Sequence, residues 1–262
     1  MCTATWLRND KGYDLFFNRD ERHTRKPATA PEIHQRNGVK FIAPTDGDHG
    51  GTWIAVNQFG LSLCLLNAYE KQTNKTDIHF ISRGKIIFDL AECRTLSEVR
   101  AHLIDKDLSS FQPFRLFGIS NDETSLLLEW DGNDMAINYT ADELIPLSSS
   151  SFDPGNVVTI RRKLYSELIS ENGLSIDSLH SFHCSHIPSQ SAYSVCMHRD
   201  DAKTVSFSHI SVADDAIRFS YYLGSPCRYS EGKVQSASVS FPVIRPVSNQ
   251  QAKAGTLNLA IV

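Results

Sequence analysis

The sequence predicts an α+β fold in which two sheets are covered by helices within one domain spanning residues 1–262. Three observations point to it: two strand–turn–strand segments open the chain, helical patterns follow, and a meander of strands lies toward the end. The first strand pair is Cys2–Leu7 and Tyr13–Asn18, joined by Arg8-Asn9-Asp10-Lys11-Gly12, a polar run suited to a tight turn. Residues 21–50 carry Pro27, Pro31, Pro44 and several glycines, which predict a long connection with one short strand, Val39–Ala43. The second pair is Trp53–Val56 and Leu61–Leu66, turned at Asn57-Gln58-Phe59-Gly60. The second of these strands is apolar nearly throughout, as expected of a strand covered on both faces.

Apolar residues at helical spacing (Ile86, Ile87, Leu90, Ala91) predict a helix over 82–92. Thr95-Leu96-Ser97-Glu98 is a capping box, opening a second helix that runs to about Asp105. Residues 114–139 read as three short strands with turns at Asn121-Asp122 and Asp131-Gly132-Asn133. Ser148–Ser151 with Asp153-Pro154-Gly155 reads as a loop and a seam within the domain. A helix over 159–172 is expected to end at Gly173 through a left-handed cap. The meander is Tyr193–His198, Thr204–Val212 and Ala216–Leu223.

Composition narrows the function classes. Twenty-six Lys plus Arg against 30 Asp plus Glu give a formal charge of −4, without the broad basic surface that nucleic-acid binding requires. No apolar run is long enough for a membrane span, and the start Met1-Cys2-Thr3-Ala4 lacks a secretion signal. Six cysteines are scattered with no C-x-x-C pair, so reduced thiols and a cytoplasmic setting are expected. No phosphate-binding glycine loop is present, Gly118-Ile119-Ser120-Asn121-Asp122 lacks the final glycine of a nucleophile elbow, and no cofactor is expected.

Cys2 is the leading candidate for chemistry. The small side chain after Met1 permits Met1 removal, which leaves a cysteine carrying both a thiol and a free α-amine. That amine titrates near neutrality and can take the thiol proton. Pairing Arg8 with Tyr13 across the first turn sets Cys2 opposite Arg19, with Asn18 and Asp20 as neighbours. An arginine there can hold a thiolate or a substrate oxygen, and a carboxylate can fix the ammonium. Pairing Val56 with Leu61 likewise places Asn67 opposite Gly50-Gly51, where an amide beside close-approaching glycines can serve an oxyanion.

These residues carry a resemblance. Met1-Cys2, Asn18-Arg19-Asp20-Glu21 with Arg25-Lys26-Pro27, Gly50-Gly51-Thr52-Trp53, Leu66-Asn67 and Ser82-Arg83-Gly84 together resemble the NRDE family, also called the transport and Golgi organisation family. The agreement is close over about residues 1–90 and looser beyond. The resemblance implies a four-layer αββα N-terminal-nucleophile (Ntn) hydrolase-like sandwich of two antiparallel sheets. Its better-understood cousins are conjugated-bile-acid and penicillin V acylases. By that resemblance Cys2 is the nucleophile, Arg19 and Asp20 its supports, Asn67 an oxyanion donor, and Asn18 and Arg199 substrate-binding candidates. The adjacency of Arg19 and Asp20 departs from those acylases, because neighbours on a regular strand face opposite ways. Around Leu147-Ser148, where relatives carry Ser-Asn, this chain has only serines, so a second oxyanion donor there is either missing or replaced by Ser148.

Two functions follow as expectations. The first is an amidohydrolase acting on a small acylated amine or amide, activated by nothing more than Met1 removal. The second, implied by the same family, is a non-catalytic carrier of a lipid-like or haem-like ligand. His180, His183, Cys184 and His186, with Cys196 and His198 downstream, offer metal-ligand types. Their spacing matches no standard module, so a histidine-rich loop without metal is expected. Phe16-Phe17 and Tyr221-Tyr222 are expected in the core.

Overall fold

The computed structural model describes residues 1–71, 79–121, 125–139, 141–231 and 235–244. Among these residues thirteen strands form two antiparallel sheets and four α-helices cover them. The first sheet runs, edge to edge, β10 (Leu147–Ser149), β1 (Cys2–Asn9), β2 (Gly12–Arg22), β11 (Ala202–Val212), β12 (Ala216–Leu223) and β13 (Gln235–Pro242). The second follows chain order: β3 (Glu32–Arg36), β4 (Val39–Ala43), β5 (Ile54–Asn57), β6 (Ser62–Asn67), β7 (Phe114–Ile119), β8 (Leu126–Trp130) and β9 (Met135–Asn138).

Strand alternation builds the layers. On β2, Leu15 and Phe17 point into the core between the sheets, where they join Trp6, Val56, Cys64, Leu66 and Phe117. Trp6 stacks on Phe117 with ring centroids 4.0 Å apart, joining one sheet to the other. Phe16, between Leu15 and Phe17, points the other way and packs with Leu179 and Phe207 beneath α3 (Pro154–Asn172) and α4 (Ile176–Cys184). The outer face of the second sheet, through Leu63, Leu65 and Leu116, packs on Ile86, Ile87 and Leu90 of α1 (Gly84–Leu90) and Val99 and Leu103 of α2 (Leu96–Ile104). The order is helices, sheet, sheet, helices. This is the αββα Ntn-hydrolase-like sandwich, and each large side chain buried in it contributes about 1.5–3 kcal/mol.

The first hairpin keeps its predicted register throughout, with Arg8 opposite Tyr13 and Cys2 opposite Arg19. The second slips by one: Val56 pairs with Ser62, and the ladder ends at Ile54–Cys64 before reaching the glycines. Thr95 caps α2 by accepting from the Glu98 N–H, and Gly173 ends α3 at φ +72°. The turn at Asp131 forms, its carboxylate accepting from the Asn133 and Asp134 N–H groups. Asp122, expected in the preceding turn, lies outside the described residues.

Four expectations are corrected. Residues 21–50 hold more strand than the single one expected: β2 runs on to Arg22, and the polar segment Glu32–Arg36 pairs as an edge strand with β4. The serine stretch expected as a loop holds β10, whose backbone pairs with β1 at Cys2–Ser149. The histidine-rich segment expected as a loop is largely α4, opened by a capping box between Ser175 and Ser178 with Leu179 and Phe182 buried. Tyr193–His198, expected as a strand, is irregular apart from a bridge between His198 and Lys203. Its polar groups are met locally, Cys196 N–H by Ser185 O and His198 N–H by Ser191 O.

Candidate active site

β1 begins at Cys2, between β2 and β10, so that Arg19 lies opposite on one side and Ser149 on the other. Cross-strand partners share a face. The Arg19 guanidinium lies 4.0 Å over the Trp53 ring, which places this face toward the second sheet. Cys2, Arg19, Asp20 and Asn67 all line one cleft of about 720 Å³, together with Met1, Tyr69 and Arg83. Three stretches far apart in the chain, at Cys2, Arg19-Asp20 and Asn67, thus meet at one end of the sandwich.

The next position along the ladder faces the helices. Thr3 lies opposite Asn18 and Ser148, and its hydroxyl is 3.3 Å from the Ser148 hydroxyl. Asn18 is fully buried there and donates to the His183 and Val195 carbonyls at 2.9 and 3.0 Å. Asn18 therefore pins α4 and the following segment to β2, away from the cleft. Arg199 is not brought to the cleft either: it pairs with Asp201 at 2.8 Å and covers the Phe152 ring.

Asp20 continues the alternation and points to the helix side. Its Oδ1 accepts from Thr204 Oγ1 at 2.6 Å, and its Oδ2 stands 3.8 Å from Arg161 Nη2. The ladder between β2 and β11 shifts register at Thr204 and Ser206, opposite these residues. Because Cys2 is the first residue of β1, both faces converge on it: Arg19 reaches the thiol face and Asp20 reaches the amine end. Burial pushes the Asp20 carboxyl up, against the opposing pull of Arg161 and the terminal ammonium.

With Met1 attached, the amine belongs to Met1. It donates to the Asp20 carbonyl and the Tyr69 hydroxyl, each at 3.2 Å, while the Met1 carbonyl accepts from the Asp20 N–H at 2.9 Å. Burial disfavours this ammonium, but Tyr69, Cys2 and Asp20 outweigh it and leave its pKa at about 10. The Met1 side chain fills an apolar nest with Met197 and Ala202, against Tyr69. Burial also pushes the Cys2 thiol up to about 11, although the ammonium and Arg19 pull the other way. In this state the Cys2 thiol is protonated near neutral pH, and the Cys2 nitrogen is tied up in the peptide bond to Met1.

The surroundings are fixed by residues that pattern reading missed. Asp46, in the glycine-rich connection, takes both Arg19 and Arg25 and accepts from the Asp48 and His49 N–H groups. The two arginines and those N–H groups outweigh burial and hold its carboxyl below the usual range. Asp46-Gly47-Asp48 has the look of an Asx turn, which is the signal that was there to read. Tyr69 bridges Asn67 and the terminus, accepting from Asn67 Nδ2 at 2.9 Å. Arg161 of α3 donates to Thr3 Oγ1 at 2.6 Å and Ser194 O at 2.7 Å while completely buried. It lies on the stripe Val157, Arg161, Leu164, and a charge on an apolar stripe marks a buried pairing.

Two glycines explain a motif. A Cβ on Gly84 would come 2.8 Å from the Thr52 nitrogen, and one on Gly51 would come 2.7 Å from the Gly84 carbonyl carbon. The start of α1 thus lies backbone against backbone on 51–52, with the Thr52 N–H bonded to Gly84 O. That contact brings Arg83 to the cleft, where its guanidinium donates to Pro113 O.

Outside the cleft, His186, Cys196, His198 and Cys227 bring ligand atoms within 4.8 Å of one another. His180, His183 and Cys184 do not join that set. No helix among the described residues is long and apolar enough to cross a membrane.

Comparison with known proteins agrees with this architecture. A mutant of conjugated bile acid hydrolase from Clostridium perfringens superposes with a TM-score of 0.52, at 12% identity over 90% of this chain and 92% of that one. Penicillin V acylase from Agrobacterium tumefaciens gives 0.50, at 12% identity over 85% and 83%. The Caenorhabditis elegans orthologue of N-acylethanolamine-hydrolyzing acid amidase gives 0.52, at 13% identity over 80% and 92%. At such identities the likeness is one of fold. No curated protein matches the sequence. The family model for Transport and Golgi organisation 2 matches residues 1–213, and the chain belongs to that family.

Proposed function

We propose that the chain is a cysteine N-terminal-nucleophile amidohydrolase acting on a small acylated amine or amide once Met1 is removed. The observation that carries this reading is the convergence of Cys2, Arg19, Asp20 and Asn67 on one cleft at the start of β1. Hydrolysis of the Met1–Cys2 bond would free the Cys2 amine beside Asp20, release the Asp20 N–H from the Met1 carbonyl, and empty the nest between Met197 and Ala202.

The chemistry then proceeds with the chain's own groups. The Cys2 amine takes the thiol proton, and the thiolate attacks the substrate carbonyl carbon. The carbonyl π pair moves onto oxygen, where Asn67 Nδ2–H and a backbone N–H hold it. Collapse re-forms the carbonyl and breaks the C–N bond, and the leaving amine takes the proton from the Cys2 ammonium. Water then attacks the thioester, passing a proton to the amine. The acid leaves and the thiol is restored. Arg19 stabilises the thiolate, and Asp20, held by Thr204 and Arg161, steadies the ammonium. The proposed substrate class draws on the amide-cleaving names of the structures above, all of which share this fold.

The test joins intact-mass measurement to activity on a panel of N-acyl amines. Protein lacking Met1 should turn over a member of the panel and alkylate rapidly at Cys2 near neutral pH. The Met1-bearing form, with its thiol at about 11, should do neither. Processed protein that is inert on the panel and slow to alkylate at Cys2 would end this reading.

One observation favours the carrier reading: the Met1 amine is bonded at two places and its side chain is buried, as in a terminus made to stay. Haem titration and lipid-binding assays on the Met1-bearing form test it, and absence of binding at micromolar ligand would count against it.

A further inference from the structure

We propose that His186, Cys196, His198 and Cys227 form a four-ligand zinc site, structural in kind and separate from the cleft. The sulfurs of Cys196 and Cys227 each lie 3.5 Å from His198 Nε2. With Zn–S near 2.3 Å and Zn–N near 2.0–2.1 Å, the S···N edge of a tetrahedron comes to roughly 3.5 Å. The His186 and His198 rings meet edge to face with centroids 5.0 Å apart, so that both can turn a nitrogen to one point. His186 Nε2 is buried without a hydrogen-bond partner, which leaves a polar atom unsatisfied unless something coordinates it. One ion answers all of these.

The ligands come from three segments that otherwise share little. His186 lies just beyond α4, Cys196 and His198 lie in the irregular run before β11, and Cys227 lies in the 3-10 turn Pro226–Glu231 after β12. Backbone bonds already hold them in place, Cys196 N–H to Ser185 O at 3.0 Å and Arg199 N–H to Ala202 O at 2.8 Å. Two thiolates and two imidazoles at tetrahedral spacing select zinc over oxygen-loving cations, and four protein ligands leave no open position for catalysis. On binding, the two thiols lose their protons to solvent, and the ion with two thiolates is neutral overall. No standard spacing announces the set, because it closes between elements rather than within one.

The site has a reach beyond its ligands. Met197, between two of them, donates its N–H to Thr204 Oγ1 at 2.8 Å, and Thr204 in turn holds Asp20. Zinc would thereby stiffen the support beneath Asp20, a positioning role independent of what the cleft does.

Tag-free protein from zinc-supplemented culture, dialysed against metal-free buffer, should carry about one zinc per chain by elemental analysis. Cys227→Ser and His198→Ala should fall below about one-tenth of that, whereas Cys184→Ser and His180→Ala, nearby but outside the set, should keep it. Should the ligand variants fail to fold, titration of chelator-stripped wild type with Co²⁺ decides: about one equivalent should raise a thiolate charge-transfer band and intense tetrahedral ligand-field bands. Zinc below one-tenth per chain (roughly) with no such cobalt bands overturns the proposal. So does equal loss of zinc in Cys184→Ser, or a denatured mass two hydrogens short that maps to a Cys196–Cys227 disulfide.

Discussion

Replacing Arg161 with Met tests how the amine end of the site is held. The variant keeps an unbranched side chain, somewhat shorter and smaller, but removes four hydrogen bonds, the short ones to Thr3 Oγ1 at 2.6 Å and Ser194 O at 2.7 Å and the longer ones to the Tyr193 and Ala192 carbonyls at 3.4 Å, and leaves Asp20 without its cation at 3.8 Å. Each bond from a charged donor is worth about 1.5–3 kcal/mol, and breaking one partner of a buried pair costs about 3–5 kcal/mol. We expect a loss of about 3–5 kcal/mol, read as a fall in urea Cm at unchanged m. The loss should also depend on pH. Burial raises the Asp20 carboxyl, and losing Arg161 raises it further. A carboxyl whose folded pKa lies above its unfolded one binds more protons when folded, so stability falls as pH rises between the two values. The deficit should therefore be larger at pH 8 than at pH 5. In a double-mutant cycle with Asp20→Asn, the pair should couple by about 1–3 kcal/mol. A single variant within about 1 kcal/mol of wild type, or coupling near zero, would refute the buried-pair reasoning.

Gly84→Ala drives a methyl to 2.8 Å from the Thr52 nitrogen, backbone that cannot step aside, and should cost about 1–3 kcal/mol in thermal or urea unfolding while displacing Arg83 from the cleft. The Met1-bearing form should lose stability in alkali. Its amine pKa is raised from 8.0 to about 10, so the stabilisation is complete below pH 8 and disappears as pH climbs through 10, by at most about 3 kcal/mol. Met1-bearing protein whose amine is acetylated should not show that decline, which parallel Tm–pH series would reveal. In the processed protein, Asn67→Ala should lower kcat by about 10²–10³ and leave Cys2 alkylation intact; equal loss of both would place Asn67 elsewhere in the chemistry.

The first hairpin was legible because its turn is short and polar: one assumed pair, Arg8 with Tyr13, propagates without a bulge to Cys2 and Arg19. The second was legible only to within a residue, since Asn57 and Gly60 close a turn whose register side-chain pattern alone does not fix. Edge strands escaped notice for a different reason. Glu32–Arg36 and Leu147–Ser149 pair through backbone groups and bury few apolar side chains, so neither shows period-two alternation. In α4, histidines and serines interrupt the apolar stripe, and Leu179 and Phe182 alone carry the helical spacing to the core. Arg19 and Asp20 were correctly placed near Cys2, but which face each would use depended on where β1 begins. Asp46, Tyr69 and Arg161 depend on tertiary approach, which no local spacing encodes.

The burial of Met1 sets a timetable. An exopeptidase must draw the terminal residue wholly into its own pocket, yet Met1 keeps only 7% of its surface and its amine is held by two acceptors. The Met1 removal proposed above is therefore expected on the nascent chain, before the opening hairpin zips against β10 and β11. On that reading, a molecule that folds first keeps Met1 for as long as it stays folded.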